Sequence, residues 1–339
     1  MCLAVVMAGC NGKKRQSAAS VADTAQTGTV GETVADGAGT DADSLKHNAD
    51  YIRQRLDSIY KYRDDARFCS YSYLKLDAEA AIYSKKLDCI YISGDHWLCG
   101  NDIDPKWRYK VKEVKNITAS TALAVVVVHN YSDRTVFLDL VYERDDWFVD
   151  NFRSEFKDDD GSIRGYDEKA EIRNFIATCA TQLIEGSYGK TFDIGKYYKA
   201  MESLGGVEYE EYALLDIDRD GRPEVCARSG DERYTAVFAL IDGVPHLMVQ
   251  SDGGRDFALC ERGVVSQGSC GQGCVAGTFC FVENSRAAYV LECQEWLEAG
   301  ESLNTLNGRN ISEEEAQRII QNAQWGEPVE IGLNWRPIA

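Results

Sequence analysis

Residues 121–150 read TALAVVVVHNYSDRTVFLDLVYERDDWFVD, and this stretch decides the fold of the first half of the chain. Residues 121–130, 135–143 and 147–152 are rich in β-branched and aromatic side chains. Only the short polar links Asn130-Tyr131-Ser132-Asp133 and Arg144-Asp145-Asp146 separate them, as antiparallel hairpins require. Residues 109–117 add a strand in front, through the link Asn116-Ile117-Thr118. The spacing therefore predicts a four-stranded meander. Residues 122–128 and 136–142 are apolar on both faces of their strands, whereas a sheet with one solvated face alternates. The second face needs a cover, which the C-terminal half or a second copy of the chain would supply.

Working upstream, Ile52, Leu56 and Ile59 recur at helical spacing. A second helical stretch over 66–87 carries Phe68, Leu74, Ala78, Ala81 and Ile82. Helices first and a meander second give an α+β class. The meander ends in Asp146-Trp147-Phe148-Val149-Asp150, and this order of elements resembles the cone-like sheet of the nuclear-transport-factor-two, ketosteroid isomerase and cystatin type. It is also similar to a domain of unknown function common in exported bacterial lipoproteins, whose last strand has a comparable tryptophan-then-aspartate ending. The resemblance spans residues 47–155 and implies a cavity between helices and sheet. Asp139 and His129, read as lining residues, and His96 on the connection over the cone are then the polar groups to weigh. Asp139 and His96 are the weak catalytic candidates.

At the N-terminus, Met7-Ala8-Gly9-Cys10 closes an apolar run and resembles the bacterial lipoprotein signal. The resemblance implies that Cys10 is lipidated and anchors the chain to a bilayer. Only nine residues precede Cys10 and none is basic, which places the natural start upstream. Residues 11–46 are dominated by Ala, Gly, Thr, Ser, Asp and Val. They cannot bury enough apolar surface to offset ordering, which costs about 1–2 kcal/mol per residue, and so read as a disordered tether. Lys13-Lys14-Arg15 would meet anionic headgroups. Asp23-Thr24-Ala25, Asp43-Ser44-Leu45 and Asp57-Ser58-Ile59 resemble Bacteroidetes O-glycosylation acceptors. The expected address is the cell envelope, lipid-anchored, facing the periplasm or the surface.

Charge and cysteines fit that address. The net charge is −18, and removing the three cations at 13–15 leaves −18 − 3 = −21, which argues against a nucleic-acid partner. No apolar run after residue 10 approaches membrane-spanning length. Of twelve cysteines, loss of Cys2 with the signal and lipidation of Cys10 leave 12 − 2 = 10, an even number that permits disulfides outside the cytoplasm. Cys89 with Cys99 is the expected local pair. Cys270, Cys274 and Cys280 lack both the two-residue knuckle and a nearby histidine, so zinc is not expected.

Residues 156–195 are expected to form a charged linker and a helix. The linker ends near Gly165, and the helix runs over 167–185 with Gly186 as its stop. Gly186-Ser187-Tyr188-Gly189-Lys190-Thr191 is not a phosphate loop, because Ile184 stands where that motif needs glycine and a helix, not a strand, precedes it. Residues 196–339 form a second, β-rich domain. Strands are expected at 236–241, 246–250, 257–261, 264–267, 277–283 and 287–296, then a helix opened by Ser312-Glu313-Glu314-Glu315 and a last strand over 328–334.

This second domain holds the sharpest motif, Asp216-Ile217-Asp218-Arg219-Asp220-Gly221-Arg222-Pro223-Glu224. Carboxylates on alternate residues of a tight turn, with glycine at the sixth position, are what a hard cation such as calcium needs. Ala227 stands at the twelfth position, where an EF-hand has its bidentate glutamate, so the site is strand-loop-strand. It resembles the calcium loops of integrin-type β-propeller repeats. That resemblance makes Asp216, Asp218, Asp220 and Glu224 side-chain ligands and Arg222 a carbonyl ligand.

The expected function is that of a non-enzymatic, membrane-anchored lipoprotein with a structural calcium site, binding a ligand or an envelope protein. A homodimer through the sheet of the first domain is compatible with its two apolar faces. The alternative is a hydrolase or isomerase working from the cavity of the cone-like domain.

Overall fold

The computed structural model describes residues 45–91, 94–157, 161–204, 206–251, 255–271, 274–283, 287–296, 299, 301–322 and 325–338. The expected signal, the lipidated Cys10 and nearly all of the tether lie outside them. Six helices and three antiparallel sheets make up the described chain, with more strand than helix. By internal contacts it divides into two compact units. One joins the chain up to Leu74 with Gly94–Asp167, and the other joins Lys75–Ser93 with Glu168–Ala339.

In the first unit, α1 (Ala49–Tyr62) starts where the Asn48 side chain accepts the amides of Asp50 and Tyr51. It ends at Arg63, in the left-handed region with φ 47°, whose amide reaches the Ile59 carbonyl. Ile52, Leu56, Ile59 and Tyr60 are fully buried along one stripe. The second helical stretch is broken into α2 (Asp65–Phe68) and α3 (Tyr71–Leu87), and α3 belongs to the second unit from Lys75 onward. Cys69 is extended between them and bridges to Val149, and the Ser70 hydroxyl accepts the Tyr73 amide to start α3. The buried stripe of α3 is Tyr73, Leu76, Ala80 and Tyr83. The expected Ala78, Ala81 and Ile82 are exposed instead, since apolar residues occur on more than one side of this helix and aromatic volume takes the interior.

The sheet of this unit is a simple meander: β1 (Arg108–Lys115), β2 (Thr121–Asn130), β3 (Ser132–Glu143), β4 (Asp146–Lys157) and β5 (Ile163–Asp167). The Arg144-Asp145 turn has both residues at positive φ, the twist that tight hairpins prefer. The expected charged linker before residue 165 is thus partly strand, with β5 pairing Arg153 to Asp167 and Lys157 to Ile163. Ala122, Ala124, Val126 and Val128 of β2 and Val136, Leu138 and Leu140 of β3 are buried. Leu123, Val125, Val127, Phe137 and Val141, on the other face, are half-buried.

The acidic-tryptophan ending has a local cause. Asp146 accepts from the Tyr51 hydroxyl at 3.1 Å and pairs with Arg55 at 3.1 Å, while fully buried Trp147 donates its indole N–H to the Lys46 carbonyl at 2.9 Å. A bulge in β4 opposite Asp139 and Leu140 re-aims Asp150, which accepts the Ser70 hydroxyl at 2.6 Å. These bonds fasten the helices to the last long strand.

The second unit is built around one sheet with both faces covered. Its strands are β6 (Tyr209–Leu215), β7 (Glu224–Ser229), β8 (Thr235–Ile241) and β9 (Val244–Ser251), with the short β16 (Arg336–Pro337) beside β6. Leu215, Cys226, Val237, Ala239 and Ile241 face Val264 and Cys280 of a second sheet. That sheet runs in sequence order through β10 (Arg255–Cys260), β11 (Gly263–Gly271), β12 (Cys274–Glu283), β13 (Ala287–Trp296), β14 (Glu301–Leu306) and β15 (Arg309–Ile311). Leu214, Val225, Ala227, Ala236 and Phe238 point the other way. They pack with Ile184 of α4 (Glu168–Tyr188) and with Tyr197 and Met201, at and within α5 (Tyr198–Glu202). Double coverage explains why Tyr212-Ala213-Leu214-Leu215 and Val225-Cys226-Ala227 read as unbroken apolar runs.

Three expectations change here. Gly186 does not stop α4, which continues to Tyr188. Gly189 follows, where a Cβ would lie 2.5 Å from the Glu185 carbonyl oxygen and 2.7 Å from Arg336 Nη2. The strand expected over 328–334 reduces to a single bridge between Cys260 and Pro328, and the edge strand falls at Arg336–Pro337. The hairpin of β14 and β15, turned at Asn307-Gly308 with both residues at positive φ, had no counterpart in the sequence reading. The helix opened by Ser312 is α6 (Glu313–Asn322), with the Ser312 hydroxyl accepting the Glu315 amide at 3.1 Å. No helix among the described residues is long and apolar enough to cross a membrane.

Candidate metal centre

The β6–β7 hairpin is closed by the pair Leu215 and Glu224, and the intervening loop bends through Arg219 (φ 61°) and Gly221 (φ 80°). Asp216, Asp218 and Glu224 bring one carboxylate oxygen each to within 4.8 Å of one another. Three anions at this spacing repel by about 4 kcal/mol per pair at an effective dielectric of 20. The loop amides offset part of that. Ile217 donates to Glu224 Oε2 at 2.7 Å, Asp220 to Asp218 at 3.2 Å, and Gly221 to Asp216 at 3.2 Å.

What remains is a deficit. Glu224 is 1 % exposed, and its Oε1 has no hydrogen-bond partner. Burial first, then the charge of Asp218, holds its carboxyl well above the ordinary glutamate value, against the pull of the Ile217 amide. Burial, with Asp218 and Asp220 adding to it, pushes Asp216 up to about 7. A desolvated, under-paired group of carboxylates is suited to a cation with oxygen ligands.

The expected set adds Asp220 and Arg222 to this triad. Asp220 lies outside it and accepts the Arg222 amide at 2.8 Å, so its carboxylate is directed to its own turn. Arg222 is an exposed loop residue. Arg219 is nearly buried and pairs with Glu79 of α3. Sequence reasoning missed Glu79, which no spacing rule connects to a loop 140 positions away.

The two weak catalytic candidates take different partners. Asp139 is held by Arg153 in a fork, Nε to Oδ2 at 2.7 Å and Nη2 to Oδ1 at 2.6 Å. It stands with Phe137 and Val141 on the half-buried face of β3, opposite the core residues Val136, Leu138 and Leu140, so it does not line the interior between helices and sheet. His129 shares that outer position and bonds Asp133 across its hairpin at 2.7 Å.

His96 sits elsewhere, its Nε2 3.0 Å from Asp65 Oδ1, an oxygen that also accepts the Trp97 indole N–H at 2.8 Å. Burial raises the Asp65 carboxyl, but the His96 and Trp97 bonds outweigh it and leave the group below its ordinary value. Arg63, Asp64, Asp65, Gly94, Asp95, His96 and Trp97 line a cleft of about 590 Å3. Sequence reasoning missed Asp65, whose partners His96 and Trp97 lie 31 and 32 positions away, while its neighbour Asp64 caps α2.

The expected Cys89–Cys99 pair is not formed. Cys99 Sγ lies 3.8 Å from the His96 carbonyl, and Cys89 stands against Cys179 of α4. Cys280 is buried with its thiol on the Met248 carbonyl at 2.7 Å.

Comparisons of the chain with models of known protein families, with curated proteins and with solved structures return no match.

Proposed function

We propose that this chain is an exported, membrane-anchored lipoprotein that binds a ligand or partner protein without catalysis, and that its β6–β7 loop holds a structural calcium ion. The orphaned, buried Oε1 of Glu224, beside Asp216 and Asp218, carries the ion. Opposed oxygens around calcium lie about 4.6–5.2 Å apart, so the triad needs little adjustment to close on it. Asp220 joins by turning from the Arg222 amide, and the Arg222 carbonyl and water complete the shell. The ion would pin the β6–β7 hairpin, whose strands form the middle of the doubly covered sheet.

The envelope address rests on the Met7-Ala8-Gly9-Cys10 signal, the residue 11–46 tether and the even count of remaining cysteines. The first unit we read as a cone-like domain, on the strength of helices followed by a continuous meander. The half-buried face carrying Leu123, Val125, Val127 and Phe137 is where a second copy would dock. The alternative reading, hydrolysis or isomerisation in this unit, finds support in the His96–Asp65 pair beside its cleft, not in Asp139.

Calorimetric titration of the chelator-treated full chain with calcium tests the ion. Saturable binding is expected, weakened about 100-fold in Glu224→Gln, a loss of about 2.7 kcal/mol. No heat and no binding in the unaltered protein would remove the site. Growth of an expressing bacterium on labelled palmitate tests the anchor, with label expected on the protein and lost in Cys10→Ser.

A further inference from the structure

The chain just beyond α3 is laid along α4 by two adjacent contacts. The Tyr91 and Phe175 rings lie 5.2 Å apart between centroids, tilted by 34°. The Cys89 side chain lies close enough to the Cys179 thiol to raise its pKa. Phe175 and Cys179 stand one turn apart on α4, and Cys89 and Tyr91 are two residues apart on the facing segment, so the ring pair and the sulfur pair set one antiparallel register. The backbone of Cys89 is fixed from behind, its amide donating to the Ser84 carbonyl at 3.1 Å and its carbonyl accepting the Ser84 hydroxyl. Tyr91 is held in turn, its hydroxyl donating to Asp77 at 2.6 Å. Both sulfurs are free thiols in this structure.

We propose that Cys89 and Cys179 form a disulfide site, which links the end of α3 covalently to the middle of α4. The oxidant is a small-molecule disulfide. Half-buried Cys89 is the thiol it reaches; the Cys89 thiolate attacks one sulfur of the oxidant, giving a mixed disulfide and releasing one thiol. Cys179, after losing its proton to water, attacks the Cys89 sulfur and releases the second thiol. Two protein thiols and one disulfide thus become one protein disulfide and two small thiols. Burial, then Cys89, pushes the Cys179 thiol up to about 12, so the second step is the slow one and quickens with rising pH.

The link has a consequence for the metal loop. Glu79, which pairs with Arg219, and Tyr83, which feels Arg219 and Asp216, stand on the helix that the bond would pin.

The test is a disulfide map of the full chain. The protein is held with oxidised glutathione under native conditions, alkylated, digested without reduction and analysed by mass spectrometry. A Cys89–Cys179 peptide pair is expected, together with a rise in Tm of about 5–10 °C on oxidation that vanishes in Cys89→Ser and in Cys179→Ser. The Cys99→Ser variant is expected to keep the link. Cys89 joined to Cys99, or Cys89 recovered as the alkylated thiol or as a lasting glutathione adduct, would overturn the proposal.

Discussion

Asp139 and Glu224 are both acidic residues on strands, and their surroundings treat them in opposite ways. Asp139 is half exposed, and both of its oxygens are met by one guanidinium at 2.6 and 2.7 Å. Glu224 is fully buried, one oxygen takes a backbone amide, the other has nothing, and two further carboxylates stand close by. A paired surface carboxylate contributes about 0–1 kcal/mol. A buried and under-paired one costs several times that, and a fold keeps it only where something else completes it. An unmet electrostatic demand therefore marks the candidate site better than the residue type does.

The largest test of that contrast is pH. Asp216, pushed up to about 7, binds its proton more tightly in the folded chain than in the unfolded one. Without calcium, its ionisation costs nothing below the ordinary carboxylate range, and the cost grows as pH rises from about 4 to 7, on the order of 4 kcal/mol when complete. Glu224 adds to the loss in the same direction. Denaturant titrations in chelator are thus expected to show stability falling between pH 4 and 7, with calcium removing the fall. A flat profile in chelator would break the comparison.

Next in size is calcium itself at neutral pH. At 100 times its Kd the ion stabilises by about 2.7 kcal/mol, which for a unit of this size is a Tm rise of about 5–10 °C. The rise is expected to disappear in the double variant Asp216→Asn with Glu224→Gln. It is expected to persist in Asp139→Asn, whose carboxylate already has its counter-ion.

The parts of the fold that were legible are those whose signal is local. The β2–β3–β4 meander, the α1 stripe of Ile52, Leu56 and Ile59, and the Asp216 to Glu224 loop can each be read from spacing alone. What could not be read depends on tertiary partners. α4 runs past Gly186 to Tyr188, and Gly189 beyond it sits where a side chain would meet Glu185 and Arg336, which no local signal reveals. The buried side of α3 is chosen by its neighbours, since its own sequence offers apolar residues on several sides. Asp139 looks like a general base only until Arg153, fourteen positions on, is placed beside it. The Cys89 partner followed the same pattern, because nearness in sequence pointed to Cys99 while packing supplied Cys179.

Smaller effects separate the two satisfied carboxylates of the first unit. Asp65 is held below its ordinary value by the bonds from His96 and Trp97, although burial opposes them. A carboxyl depressed on folding contributes stability that is complete above the unfolded value and is lost as pH falls below about 4. Asp65→Asn removes that acid-side loss, and a thermal melt series from pH 5 to 2 measures it. His96 shares the Asp65 oxygen with Trp97, so the same variant is expected to broaden the His96 ring signals in NMR spectra.

The smallest effect is the sharpest discriminator. Arg153→Met removes the fork on Asp139 and leaves that carboxylate without its guanidinium. If satisfaction by a neighbour were all that kept Asp139 quiet, the variant would turn it into a second Glu224, with a cost of several kcal/mol. Asp139 is about as exposed as its partner, at 36 % against 38 %, and water can replace the lost bonds. The expected cost is therefore only about 0.5–1 kcal/mol by urea titration, without any gain of calcium binding. A larger loss, or a new calcium response, would mean that burial is not the quantity separating the two carboxylates, and would move the origin of the metal site from desolvation to the count of neighbouring charges.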